Sequence, residues 1–178
     1  MNCLVLQCGW VQRQYHPGIK LWGDSTVKMR AQQLIHALER AMTGPIEPSE
    51  RIGLDLVHIP RIAQSLASFG ARFERKLFTD AEAAYANSAP THRNERFAAR
   101  FAAKEATIKA LQLGNAGVGW RELEVFRQDS GECTMRLHGR AAQFAAQAGL
   151  ASELPACLSH DGDYAAAVVL ARRRLTQQ

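Results

Sequence analysis

The chain is poor in the residues that would tie it together by covalent or metal cross-links. It has four cysteines in 178 residues. These are Cys3, Cys8, Cys133 and Cys157; they form no CxxC pair and have no histidine partner at zinc spacing, which argues against a zinc knuckle or a disulfide scaffold. Reduced thiols are expected. No apolar run reaches bilayer-spanning length, and the opening MNCLVLQCGWVQRQ lacks a sustained apolar core followed by a small-residue cleavage site. A cytoplasmic protein with no membrane partner is therefore expected. No aromatic platform is interleaved with the basic residues and no helix-turn-helix pattern is found, so the usual signatures of nucleic-acid binding are missing. Internal repeats are also missing.

What is present is ordinary for a globular protein: 47% hydrophobic and 22% charged residues. A length of 178 residues suffices for one domain with a core and a short appendage, not for two full domains. The net charge is +5, which points to an acidic or phosphorylated partner. Residues 1–50 hold five basic and four acidic side chains, and residues 51–178 hold seventeen and thirteen. Most of the surplus thus belongs to the later part. Gly44, Pro45 and Pro48 form a seam that would stop a helix over Val27 to Ala41. Residues 1–44 are expected to be an N-terminal extension, poorly ordered or loosely docked, ahead of a domain over 45–178. Met29 and Met42 offer alternative translation starts.

From Arg51 the patterns sharpen. Ile52-Gly-Leu-Asp-Leu-Val57 alternates, which predicts a strand with Ile52, Leu54 and Leu56 on one face and Gly53, Asp55 and Val57 on the other. After Pro60 the spacing of Ile62, Leu66 and Phe69 predicts a helix. Thr79 and Glu82 form a capping box for a helix over Asp80 to Asn87. Arg93 to Leu113 carries Phe97, Phe101, Ile108 and Leu111 at helical spacing, with Gly114 as the expected stop. Two hairpins are expected next, Trp120 to Arg127 with Cys133 to Leu137, and Ala156 to His160 with Tyr164 to Ala171, separated by a helix over Arg140 to Ala148. A strand, several helices and then paired strands predict an α+β domain whose mostly antiparallel sheet packs on helices.

The candidate chemistry centres on the helix from Arg93. Ala98, Ala102, Glu105 and Lys109 fall along one stripe beside the phenylalanines. The alanines allow a backbone or ligand to come close, and a carboxylate in so narrow a place needs a cation to offset its desolvation. Taken alone, Glu105 and Lys109 read first as an ordinary surface pair at i, i+4, the commonest fate of such a spacing. Asp55 adds weight, because aspartate is disfavoured in an apolar strand. It could equally pair with an arginine or cap a turn. An acid on a strand and an acid on a helix can converge on Mg²⁺, which is held by one or two carboxylates plus substrate phosphates. His160, at the end of Cys157-Leu-Ser-His160, and Arg100 are further candidates for phosphate contact.

The stretches IGLDLVHIPRI, RNERFAARFAAKEATIKAL, WRELEV and LSHDGDYAAAVV occur in that order over about residues 51–171. Together they resemble the holo-(acyl-carrier-protein) synthases, the small single-domain 4'-phosphopantetheinyl transferases. The resemblance implies transfer of 4'-phosphopantetheine from coenzyme A to a serine of apo acyl carrier protein, with release of adenosine 3',5'-bisphosphate. It implies that Asp55 and Glu105 hold Mg²⁺ and that Lys109 contacts the pyrophosphate, these three being the catalytic set. Arg100 and His160 would lie near the coenzyme A phosphates. Arg61 and Arg72 would meet the acidic carrier protein, and Arg75 and Lys76 would help steer it. The resemblance also implies a homotrimer with the active site between subunits. Glu105 and a water held by the metal both qualify to take the serine proton.

Three departures from the family pattern stand out, one being the extension ahead of Ile52. Leu113-Gly-Asn-Ala-Gly117 replaces a Gly-Thr-Gly loop, and Cys157 stands where a serine is common. Two other readings remain beside the transferase: a non-catalytic carrier-protein-binding module, and a basic nucleic-acid-binding domain.

Overall fold

The computed structural model describes residues 50–114 and 116–173. The chain divides into two units, Met1–Ile46 and Glu47–Gln178, and all of the described residues belong to the second. The expected extension over residues 1–44, with its helix over Val27 to Ala41, lies outside them.

Strand β1 (Arg51–His58) leads into four helices, α1 (Ile59–Phe69), α2 (Ala71–Leu77), α3 (Asp80–Asn87) and the long α4 (Arg93–Leu111). Then come β2 (Leu123–Arg127), β3 (Cys133–Leu137), α5 (Gly139–Gln147), β4 (Glu153–Asp161) and β5 (Tyr164–Ala171). The strands form one antiparallel sheet in the order β1-β5-β4-β3-β2. The last strand in sequence therefore seals the first into the sheet, with Asp55 opposite Ala167 and Ala167 opposite Leu158. The pattern predicts an α+β domain, and the sheet and helices bear it out.

The core lies between α4 and the inner face of the sheet. Ala98, Ala102, Ala103, Ala106 and Ala110 of α4 are buried, as are Ala165, Ala167, Val169 and Ala171 of β5. Small residues on both surfaces bring helix and sheet close together, and larger side chains such as Phe78, Phe97, Leu123, Met135 and Leu154 fill the flanks. The predicted capping box is present: Glu82 N–H donates to Thr79 Oγ1 at 3.2 Å and Thr79 N–H donates to Glu82 Oε2 at 2.8 Å. Both predicted hairpins form, although β4 starts earlier than expected, at Glu153.

Packing corrects one expectation and decides two points that the sequence pattern leaves open. First, α4 is closed by Gln112, not Gly114: Gln112 adopts φ 58°, and the amides of Gln112 and Leu113 bond back to the carbonyls of Lys109 and Ile108. This double bond pattern, with Leu113 buried beside it, offsets the cost of about 1–2 kcal/mol for a left-handed non-glycine residue. Second, Phe69 does not join Ile62 and Leu66 in the core. It is 62% exposed at the end of α1, and Phe73 of α2 fills the adjoining space against Phe78 at 6.3 Å. Third, the more apolar face of β1 is the outer one: Ile52, Leu54 and Leu56 are 42%, 44% and 63% exposed, whereas Gly53 and Val57 are buried against α4.

Candidate active site

The site is built where β1 crosses α4. A Cβ placed on Gly53 would lie 1.9 Å from the Ala106 carbonyl oxygen and 2.9 Å from the Ala110 amide nitrogen. Only glycine lets the two backbones touch here. Two residues along the same face, Asp55 is half-buried, and Lys109 Nζ donates to its Oδ1 at 2.8 Å and to the Leu54 carbonyl at 3.1 Å. Glu105, one helical turn before Lys109, is half-buried and completes the group. Burial pushes the Glu105 carboxyl above its ordinary pKa, the Asp55 charge adds to that shift, and Lys109 opposes it. A carboxyl whose ionisation is disfavoured by burial and by a neighbouring carboxylate makes a site that gains from a cation.

Next to Glu105 in sequence, Lys104 lies on the fully buried side of α4. Its ammonium donates to Glu82 Oε2 at 2.8 Å, to the Trp120 carbonyl at 3.0 Å and to the Leu123 carbonyl. All three of its protons are thereby satisfied. Burial lowers the Lys104 pKa, and the charge and hydrogen bond of Glu82 resist that shift. Glu82 in turn accepts from the Val125 amide at 3.0 Å. This buried network ties α3, α4 and the start of β2 together and so fixes the rotation of α4 that presents Glu105 and Lys109 to β1.

The other candidate residues are placed elsewhere in the chain. Arg100 is 4% exposed, stacks over the Tyr85 ring at 4.1 Å, and lines a pocket of about 140 Å³ with Glu82, Glu124, Phe126 and Arg127. Its Nε is buried without a hydrogen-bond partner among the described residues, and burial lowers its pKa. Being five residues before Glu105, it points roughly 140° away around the helix. His160 is exposed on β4, opposite Ala165, which is itself opposite Val57. It shares Asp55's side of the sheet but stands two strands over, about 10 Å across. Arg61 and Arg72 are exposed on α1 and α2. The chain thus gathers Asp55, Glu105 and Lys109, and keeps Arg100 and His160 apart from them.

Residues 51–169 match the family model described as the 4'-phosphopantetheinyl transferase superfamily. The chain belongs to that superfamily. A holo-(acyl-carrier-protein) synthase of Gloeobacter violaceus is 45% identical to it over 119 residues, which span 67% of this chain and 89% of the relative. The corresponding synthase of Koribacter versatilis is 46% identical over 119 residues, 66% of this chain and 94% of the relative. Among solved structures, the ACPS–CoA complex of Chronobacterium ammoniagenes is similar at TM-score 0.61 and 34% identity, covering 70% of this chain and 98% of that one. The Helicobacter pylori holo-(acyl-carrier-protein) synthase in complex with coenzyme A is similar at TM-score 0.59 and 26% identity, covering 67% and 98%.

For a 4'-phosphopantetheinyl transferase the donor set at the crossing is chemically apt. Asp55 and Glu105 are two carboxylates, and no group of three His, Cys, Asp or Glu side chains suited to a metal occurs among the described residues. A hard cation held by two carboxylates leaves positions for phosphate oxygens, and the raised pKa of Glu105 marks the charge such a cation would neutralise. The residues fit Mg²⁺. Reading the superfamily motifs as ligands alone misses two residues that shape the site, Gly53 and Lys104. Both lie inside the quoted stretches. The signal for Gly53 is a glycine within a strand, which often marks close backbone approach; for Lys104 it is a lysine flanked by buried alanines on helical spacing.

Proposed function

We propose that the protein transfers the 4'-phosphopantetheine group of coenzyme A to a serine of apo acyl carrier protein. The reading is carried by the meeting of Asp55, Glu105 and Lys109 at the β1–α4 crossing in a chain of this superfamily. Asp55 and Glu105 hold Mg²⁺, which when bound supplies charge neutralisation at the pyrophosphate. Lys109 is the mobile member: its ion pair with Asp55 is partly exposed and worth about 0–1 kcal/mol. Its ammonium can therefore turn from the carboxylate to a pyrophosphate oxygen at little cost. There it stabilises the charge that develops as the bond to the adenosine bisphosphate leaving group breaks. Phosphoryl chemistry of this kind depends on positioning and electrostatics more than on covalent help. The contact of Gly53 with Ala106 supplies that positioning.

Arg100 and His160 are assigned to the coenzyme A phosphates, and Arg61 and Arg72 to the carrier protein. The unpartnered Nε of Arg100 beside a pocket favours an anionic ligand. The separation of Arg100 and His160 from Asp55 within one protomer supports a site completed by a second subunit. The exposed row Ile52, Leu54 and Leu56 supports a homotrimer, because a face of this kind is costly to leave in water. Among the described residues no helix is long and apolar enough to cross a membrane, and the reaction is assigned to the cytoplasm. The deciding experiment is intact-mass spectrometry of an apo acyl carrier protein incubated with the protein, coenzyme A and Mg²⁺. A gain of one phosphopantetheine that EDTA abolishes is expected; no gain with folded protein would overturn the assignment.

A further inference from the structure

The pocket at Arg100 holds charges of both signs, and they are sorted. Arg100 and Arg127 line it together with Glu82, Glu124 and Tyr85. Acids beside an anion-binding guanidinium are a liability, because arginine and carboxylate pair through two parallel hydrogen bonds and such a pair shuts out any other anion. Yet neither arginine forms an ion pair among the described residues. Within them Arg100 donates only from Nη1, to the Arg96 carbonyl at 3.2 Å, and both guanidiniums face the Tyr85 ring, at 4.1 Å for Arg100 and 5.7 Å for Arg127.

The two acids are occupied by other groups. Glu82 accepts on Oε2 from Lys104 and from the Thr79 amide, each at 2.8 Å, and on Oε1 from the Val125 amide at 3.0 Å. Glu124 accepts on Oε1 from the Thr79 hydroxyl at 3.0 Å, and its Oε2 lies 2.8 Å from His138 Nε2. A carboxylate only accepts, so Nε2 carries the hydrogen.

Thr79 also caps α3, and Lys104 ties three elements together. The side chain of His138, which stands between β3 and α5, has a narrower task. Its backbone amide donates to the Glu122 carbonyl at 2.8 Å whatever the side chain. Its ring is half-exposed and, among the described residues, bonds to Glu124 alone.

We propose that His138 is a positioning residue for coenzyme A binding: by holding Oε2 of Glu124 it keeps that carboxylate from pairing with Arg100 and leaves the guanidinium free for a phosphate. The inference rests on the assignment of Arg100 to the coenzyme A phosphates, and it adds a residue that acts only through Glu124. Without His138, Glu124 keeps a single side-chain bond, from Thr79, and turns into the small pocket that it shares with Arg100. There it competes with the substrate phosphate for one guanidinium, and a desolvated pair of this kind is hard to displace. Competition at a binding group raises KM and leaves kcat unchanged.

The test is calorimetric titration of coenzyme A into full-length wild type, His138→Ala, His138→Gln, Glu124→Gln, His138→Ala with Glu124→Gln, and Arg100→Leu. Transfer to apo acyl carrier protein is followed by intact mass at varied coenzyme A. His138→Ala should weaken coenzyme A by about fivefold or more and raise KM to match, with kcat within about twofold of wild type. His138→Gln, whose amide can donate to Glu124, should recover most of the loss, and Glu124→Gln alone should bind as wild type does. The double variant decides the matter. Removing the Glu124 charge should restore affinity to His138→Ala, whereas a merely structural role for His138 predicts that the double variant stays as weak as His138→Ala or becomes weaker. Failure of that rescue would overturn the proposal, as would coenzyme A affinity within twofold of wild type in His138→Ala. Arg100→Leu separates the proposal from the reading beneath it. If Arg100→Leu loses affinity while His138→Ala does not, the phosphate assignment stands and the positioning role falls; if Arg100→Leu binds as wild type does, the assignment of Arg100 falls and the role of His138 falls with it.

Discussion

Replacing Gly53 with alanine should damage catalysis without touching a catalytic group. The added methyl would sit 1.9 Å from the Ala106 carbonyl oxygen, and an ordinary contact of about 3.4 Å requires strand and helix to separate by roughly 1.5 Å. Neither backbone can yield alone, because β1 is held in register along its length by β5 and the buried alanine face of α4 is packed on the same sheet. Overpacking of this sort costs about 1–3 kcal/mol, so the melting temperature should fall by several degrees. Asp55 is on β1 while Glu105 and Lys109 are on α4, so the same separation opens the catalytic group, and misplacement on that scale lowers turnover about 100-fold. The measurement is the initial rate of phosphopantetheine transfer by intact mass, with circular-dichroism melts of the same samples. Gly114→Ala is the control, since a Cβ there meets nothing within 4 Å, and it should behave as wild type. Transfer by Gly53→Ala within threefold of wild type would refute the argument that backbone contact sets the geometry.

Asp55→Asn and Glu105→Gln should each remove Mg²⁺-dependent transfer while the melting temperature stays within a few degrees, and turnover above about a tenth of wild type in either would contradict the assigned ligand role. Because burial and Asp55 raise the Glu105 pKa above the ordinary 4.5, the folded protein binds that proton more tightly than the unfolded chain does. The stabilisation is complete below about pH 4.5 and is lost as pH rises through the folded pKa. The metal-free protein should therefore lose melting temperature across that window, Glu105→Gln should lose less, and equal slopes in the two proteins would refute the linkage. Lys104→Met should cost about 3–5 kcal/mol in urea unfolding by stranding Glu82 and two carbonyls, and Lys104→Met with Glu82→Gln should cost less than the two changes summed; a loss under about 1 kcal/mol would mean that the network carries no weight.

Local chemistry is legible in the sequence where one residue type has one physical use. The Thr79–Glu82 capping box, the β1 alternation around Asp55, the hairpin that ends in β5 and the stripe that joins Glu105 to Lys109 all follow from residue order alone. The rest depends on partners distant in sequence. Gly114 is a better helix stop than Gln112 on propensity, yet burial of Leu113 chooses Gln112. Phe69 fits the helical period of Ile62 and Leu66, but the period does not reveal where the core ends. Lys104 sits beside Glu105 in sequence and faces the other way; its acceptors, Glu82, Trp120 and Leu123, lie 16 to 22 residues from it. The small residues of α4 leave room for a backbone, and β1 takes it at Ala106 and Ala110, where Gly53 comes close.

β1 carries Asp55 on its inner face and Ile52, Leu54 and Leu56 on its outer face, an arrangement that restricts how this segment can evolve. Side chains alternate with a period of two, so inserting or deleting one residue before Asp55 would turn the acid to the outside and drive a leucine against α4 in the same event. Drift by small steps in chain length is closed to this strand. Its inner and outer faces must be inherited together, and substitution at a fixed position is the only route by which either can be tuned.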